Sequence, residues 1–364
     1  MKLHGWLFIG LFTLLALGSP STGCGPEQPA GVDASMYLAA IGPEVILPEL
    51  RAFKAEAEAF EAALEAADRP DEARPAFVSA LLRWQRLEGL QVGPASSPAS
   101  PGGQALRDRI YSWPIVDPCD IDRFIVQGAL PDATFFDDVL VDRIGLDAIE
   151  YLLFSGKTQA CGEELEETWM ALAPEVVTSR RLAHARFLAA DVTATADALI
   201  ASWEGDFAAA FNAFDSTEAL NAVFEAMFYL ETQTKDRKLG QPLGLVGCSS
   251  ECATQAEGQL SATGAEAIGQ NLAGFEALYR AGMDDIVRDQ LRRRELANAI
   301  DDALDEARGA TSGVDGDLAL LIETDRERVE ALHAAVKSVT DLLKLDLATV
   351  LMLQIPREVA GDND

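Results

Sequence analysis

Apolar residues along this chain recur with the three-and-four spacing of helices. Ile46, Leu50, Phe53, Ala57, Phe60 and Leu64 form one such stripe, and Val329, Leu332, Val336, Val339 and Leu343 form another near the far end. Phe224, Met227, Phe228 and Leu230 belong to a segment that is apolar on more than one side, which predicts a central helix. No stretch sustains a two-residue alternation of β-branched residues, so little or no sheet is expected. Breakers divide the helices. Pro70 and Pro75 stand at or near the start of the second one, Gly93 to Gly103 is a loop by composition, and Trp113-Pro114 closes the short helix after it. The fold class read from this pattern is all-α, in two packed helical bundles. Residues 34–245 form the first bundle, residues 246–355 the second and residues 356–364 a tail. The glycines, proline and paired cysteines of residues 240–262 mark the junction.

The N-terminus departs from this pattern. Lys2 precedes an apolar run from Trp6 to Leu17, and small residues lead to Ser21-Thr22-Gly23-Cys24. The run is shorter than the roughly 20 residues needed to span a bilayer, so residues 1–23 read as a secretory signal. A cysteine after small residues suggests acylation at Cys24, with residues 24–33 as a tether. Ser21 stands where such signals usually carry leucine, and ordinary cleavage that leaves Cys24 free is the alternative. The expected location is outside the cytoplasm, lipid-anchored at the outer membrane and facing the periplasm or the cell surface.

Composition adds a strong charge. The 29 Lys and Arg stand against 59 Asp and Glu, a net charge of −30, and removal of Lys2 with the signal makes it −31. That argues against nucleic acid as a partner and against adhesion to anionic lipid by a basic face. Most of these charges are expected on solvated helix surfaces. With Cys24 lipidated, four cysteines remain, an even set that reads as two disulfides in an exported protein. Of three possible pairings, Cys119–Cys161 and Cys248–Cys252 are favoured. The set makes a poor zinc pattern, with only His184 and His333 outside the signal segment.

Several segments resemble the imelysin-like family, also classed as peptidase family M75. They are Trp84-Gln85-Arg86-Leu87-Glu88 followed by Gly93-Pro94; Arg109-Ile110-Tyr111-Ser112-Trp113-Pro114 with Ile121-Asp122; Gly145 to Phe154; and Lys235 to Leu239 with Pro242-Leu243-Gly244. They run in the family's order, and the resemblance spans residues 35 to 355. It implies two helical bundles, an exported protein, an association with iron acquisition and a site around a G-x-H-x-x-E helix. By the same resemblance Glu88, Arg109 and Trp113 are candidate ligand-binding residues, and Glu257 and Ser261 begin the second half and face the site across the junction. The ordinary reading of Trp113 is a packing residue beside a proline, and that of Lys238 and Pro242-Leu243-Gly244 is a helix stop.

The hallmark is altered at its centre. Asp147 holds the histidine position, between the matching Gly145 and Glu150. Residues three apart share a helix face, so Asp147 and Glu150 project together from an apolar helix. Two adjacent buried carboxylates need compensation: a cation, an arginine (Arg109, Arg123 and Arg143 are near in sequence) or a shared proton. Asp147 and Glu150 are therefore candidate metal ligands. Carboxylates suit calcium, magnesium, manganese or ferric iron, and the cofactor expected is a divalent or ferric cation. The alternative is that the pair fixes helix packing through arginine or backbone hydrogen bonds. His184 and His333 stand alone and are expected at the surface or the core edge. No HExxH, P-loop, dinucleotide fingerprint or G-x-S-x-G is present. The leading function is a lipoprotein that binds a cation or small ligand between bundles, with iron-uptake components as possible partners. The rivals are a metal-dependent peptidase and a surface scaffold that recruits a partner protein.

Overall fold

The computed structural model describes residues 32–356, apart from residues 131, 133 and 157 and the side chain of residue 137. The signal segment, Cys24, most of the tether and the tail beyond residue 356 lie outside the described residues. Among the described residues there is no strand, and no helix is long and apolar enough to cross a membrane.

The α-helices of ten residues or more are α1 (Leu47–Ala66), α2 (Pro70–Glu88), α3 (Pro118–Gln127), α4 (Gly145–Phe154), α5 (Pro174–Glu204), α6 (Ser216–Met227), α7 (Gly264–Leu278), α8 (Arg294–Thr311) and α9 (Arg326–Asp341). The stripes read from the sequence are the buried faces. Ile46, Leu50, Phe53, Ala57, Phe60 and Leu64 are all buried, as are Val329, Leu332, Val336, Val339 and Leu343. Pro70 opens α2 at a position where its missing N–H costs no helical bond.

The helical path widens in places to a π-type ladder. Ile41–Ile46 is one such stretch; it contains Pro43, which has no N–H to donate, and it joins the helix from Ser35 to α1. A longer one, Leu230–Gly240, follows α6.

In the first half α1 packs on α2 and α5, and α4 lies between α5 and α2. In the second half α8 packs on α9, and α7 packs on α8. Several contacts join the halves; of the larger ones, α7 lies along α2, and Leu230–Gly240 packs on both α9 and α7. Gly274 of α7 permits the first, because a Cβ there would lie 2.2 Å from the Arg86 carbonyl oxygen. Both expected disulfides are present, Cys119–Cys161 and Cys248–Cys252. The first ties α3 to the loop before residue 162. That loop is held a second time by Asp122, which accepts from the Ala160 N–H (2.8 Å) and the Tyr151 hydroxyl (2.5 Å).

Candidate functional site

The motif helix α4 is buried at every position from Gly145 to Leu153. Its first residue explains the glycine of the hallmark. Gly145 has φ +81°, and a Cβ there would come within 2.7 Å of the Ile110 carbonyl oxygen. The glycine lets α4 start against the Arg109-to-Pro114 segment, whose Trp113-Pro114 peptide is cis. Ser112 of that segment therefore meets Asp147, with its Oγ 2.8 Å from Oδ2 and 3.0 Å from the Val141 carbonyl oxygen. Glu150 crosses to the second half. Its Oε1 accepts from both the backbone N–H (2.8 Å) and the hydroxyl (2.6 Å) of Ser261, a hydroxyl that also lies 2.8 Å from Thr263 Oγ1.

Between α2 and Leu230–Gly240 lies a second buried polar cluster, built around Lys238. Its Nζ donates to Gln85 Oε1 (2.6 Å) and Glu88 Oε2 (3.0 Å), and it is ion-paired at 3.0 Å to Glu257 Oε2. Glu88 also receives the Arg107 guanidinium (Nη2 to Oε1, 3.1 Å) and the Tyr229 hydroxyl. Glu257 accepts from the Tyr111 hydroxyl (2.8 Å) and Gln85 Nε2 (3.1 Å). Asn271 of α7 closes the group by donating to the Gln85 carbonyl at 2.7 Å.

Tyr111 is the hinge between the clusters. Burial drives its phenol well above the ordinary value, and the charges of Glu257, Glu150, Glu88 and Asp147 push it further, so all four carboxylates act on one hydroxyl. The four do not titrate alike. Burial raises Asp147 to about 7, with the Ser112 hydrogen bond only partly opposing it. Burial also raises Glu150, against the Ser261 bonds, and Glu257 adds to that rise. Glu257 is raised by burial and by Glu88, in spite of Lys238. Burial works on Glu88 too, but Lys238 and Arg107 outweigh it and bring it below the usual range. Among the described residues the site thus holds four carboxyls against two cations, and burial raises three of the four, Asp147, Glu150 and Glu257.

The expectations for the arginines and for His184 are corrected. None of the nearby arginines is ion-paired to Asp147 or Glu150. Arg109 pairs with Asp191 on α5 (Nε to Oδ2, 2.9 Å), Arg123 with Asp120 and Glu164, and Arg143 with Asp120 and Asp142. Seryl hydroxyls and backbone N–H groups meet the pair instead. Glu88, Arg109 and Trp113 engage different surroundings: Glu88 lies in the Lys238 cluster, Arg109 faces Asp191, and Trp113 is half-buried against the core. The guanidinium that meets Glu88 is Arg107. His184 was expected at the surface or core edge, yet it is buried on α5. It stacks on Phe124 with ring centroids 5.4 Å apart, and burial lowers it to about 4. Its neighbours Ala183 and Ala185 conceal this, because the apolar surface that covers it comes from α3. His333 is half-buried, and burial and Lys235 lower it. Glu257 and Ser261 do face the site, through Tyr111 and Glu150 respectively.

A metal association carried by the family was tested against the donors present. Among the described residues no three His, Cys, Asp or Glu side chains converge as an ion would require. The pair offers two carboxylates, and no histidine joins them. The described residues do not fit a resident catalytic metal.

The family profile described as imelysin, peptidase M75, matches residues 46–345. Two solved structures share the architecture. An imelysin-like protein from Psychrobacter arcticum 273-4 is 16% identical with a TM-score of 0.64, over 90% of this chain and 100% of that one. A "putative iron-regulated protein A precursor" from Parabacteroides distasonis ATCC 8503 is 14% identical with a TM-score of 0.69, over 90% of this chain and 97% of that one. No curated protein matches the chain.

Proposed function

This chain belongs to the imelysin family, and from that premise we propose that it is a non-catalytic binding protein that takes a cation or a small cation-bearing ligand between its helical halves. One observation carries the reading: Asp147 and Glu150 are buried on one helix, and among the described residues their partners are hydroxyls and backbone N–H groups with no cation, an excess of acid. A positive ligand at Asp147 and Glu150 relieves that excess. Two carboxylates hold an ion loosely, so the cation is cargo that brings the rest of its shell as water or a chelator. The seat lies across the halves, since Glu150 of α4 is bonded to Ser261 beyond the junction.

The peptidase reading finds no support here. Aspartate replaces the hallmark histidine, and no three-donor set accompanies it. Iron acquisition is the context we propose for the binding activity. The description of the Parabacteroides relative as iron-regulated supports it, and so does the preference of ferric iron for oxygen ligands. We further propose export, a lipid on Cys24 and a place at the outer membrane beside iron-uptake components. The signal-like segment before Cys24 and the two disulfides support this part.

Native mass spectrometry of the processed protein, mixed with Mn²⁺, Ca²⁺ or ferric nitrilotriacetate, tests the binding. We expect an adduct with at least one of them that disappears in Asp147→Asn and Glu150→Gln. Identical spectra for all three proteins would remove the proposal. The same spectra report the tether, since an unmodified Cys24 would refute lipidation.

A further inference from the structure

A separate cleft lies on the other side of the Lys238 cluster. It has a volume of about 500 Å³, within the range of roughly 300–1,000 Å³ typical of small-molecule sites, and neither Asp147 nor Glu150 lines it. Its walls come from the loop after α2, the end of α6 and the outer side of Leu230–Gly240. At its base Arg107 and Tyr229 both bond Glu88, so their orientation is fixed from behind.

The donors and acceptors in this cleft are unequally satisfied. Glu225 already accepts from the Ser100 hydroxyl at 2.7 Å, and Asp236 is ion-paired to Lys235 at 2.9 Å. Arg237, by contrast, is exposed and makes no hydrogen bond or ion pair with any described residue. Gln91 Nε2 is buried with no hydrogen-bond partner. Two N–H donors of the cleft, one of them a guanidinium, are thus unmet among the described residues, and a ligand that completes them presents oxygen acceptors. A planar guanidinium matches a carboxylate through two parallel hydrogen bonds. Glu225 and Asp236 on the same walls limit the negative charge the cleft tolerates, which disfavours a phosphate dianion relative to a single carboxylate.

We propose that this cleft is a second ligand site, for a small hydroxylated molecule bearing one carboxylate, held by Arg237 and Gln91 over the Arg107–Glu88–Tyr229 base. The site stands apart from the cation seat proposed above. Calorimetric titration of the processed protein with gluconate, sorbitol and sorbitol 6-phosphate tests it. Gluconate is expected to bind, and sorbitol, which lacks the carboxylate, to bind at least tenfold more weakly. Sorbitol 6-phosphate is expected to bind more weakly than gluconate. Arg237→Gln, at an exposed side chain without partners, is expected to fold as wild type and to weaken gluconate by roughly tenfold or more. Gln91→Leu is expected to weaken it by about fivefold. Asp147→Asn is expected to leave gluconate binding unchanged while it removes cation binding. Gluconate binding no better than sorbitol, or unaltered in Arg237→Gln, would overturn the proposal. Tighter binding of the phosphate would overturn the ligand class, and loss of gluconate binding in Asp147→Asn would overturn the separateness of the two sites.

Discussion

The two ends of the buried polar seam solve the same problem in opposite ways. At the Lys238 end, each carboxylate meets a cation: Glu88 is held by Lys238 and Arg107, and Glu257 lies against Lys238. At the Asp147 end, hydroxyls and backbone N–H groups are the only hydrogen-bond partners among the described residues. A hydroxyl can donate to an ionised carboxylate or accept from a neutral one, so this end tolerates either state, whereas Lys238 and Arg107 together hold Glu88 below the usual carboxylate range, and Glu257, with Lys238 alone, stays raised. The first arrangement is suited to holding α2, Leu230–Gly240 and the segment after the junction together. The second leaves a titratable site, the one at which we propose a cation enters.

The sharpest way to break this contrast is to remove the cation of the structural end. Lys238→Met leaves two buried carboxylates without their shared ammonium, and urea unfolding at pH 7 should show a loss of roughly 3–5 kcal/mol. A loss near zero would mean that the cluster is not ionised. The adaptable end should show itself in the pH dependence of stability. Asp147 has a folded value of about 7, above its ordinary 3.8, so between those limits the native state holds a proton that the unfolded chain has released. Stability should therefore fall as pH rises from about 4 to 7, by something on the order of 4 kcal/mol from this group. Asp147→Asn should flatten that slope and be the more stable protein at pH 8; parallel slopes for both proteins would refute the assignment. Gly145→Ala tests how the motif helix is seated. The positive φ and the approach to the Ile110 carbonyl should together cost about 2–3 kcal/mol, read as a lower Tm. The smallest effect is expected for Ser261→Ala, about 1 kcal/mol, accompanied by a higher Glu150 titration in carboxyl NMR.

Much of this molecule was legible in its residues because the relevant signals are local. Helical stripes, the loop after α2, the two disulfides and the order of the imelysin segments all lie within short windows. The adjacent carboxylates of α4 were legible for the same reason. What could not be read was convergence. Lys238 meets Gln85 and Glu88 from about 150 residues away, and it stands in a segment that resembles an ordinary helix stop. The arginines near Asp147 in sequence point to Asp120, Asp142, Glu164 and Asp191, because opposite charge is abundant in so acidic a chain and the nearest guanidinium is taken elsewhere. His184 misleads for a related reason. Its alanine neighbours suggest an edge position, while Phe124 from α3 covers it. The π-type stretch Leu230–Gly240 left no periodic signature, yet it carries Glu231, Lys235 and Lys238 into the core.

The central claim is that the acid excess at Asp147 and Glu150 exists to receive a positive ligand. Calorimetry with Mn²⁺ at pH 6.5, repeated in buffers of different ionisation enthalpy, tests it most directly, because it counts the protons that binding displaces. Burial raises Asp147 to about 7, so at that pH a bound cation competes with a proton there and its uptake should release protons. Asp147→Asn should abolish both the uptake and the release. Uptake without proton release, or uptake that survives in Asp147→Asn, would contradict the account.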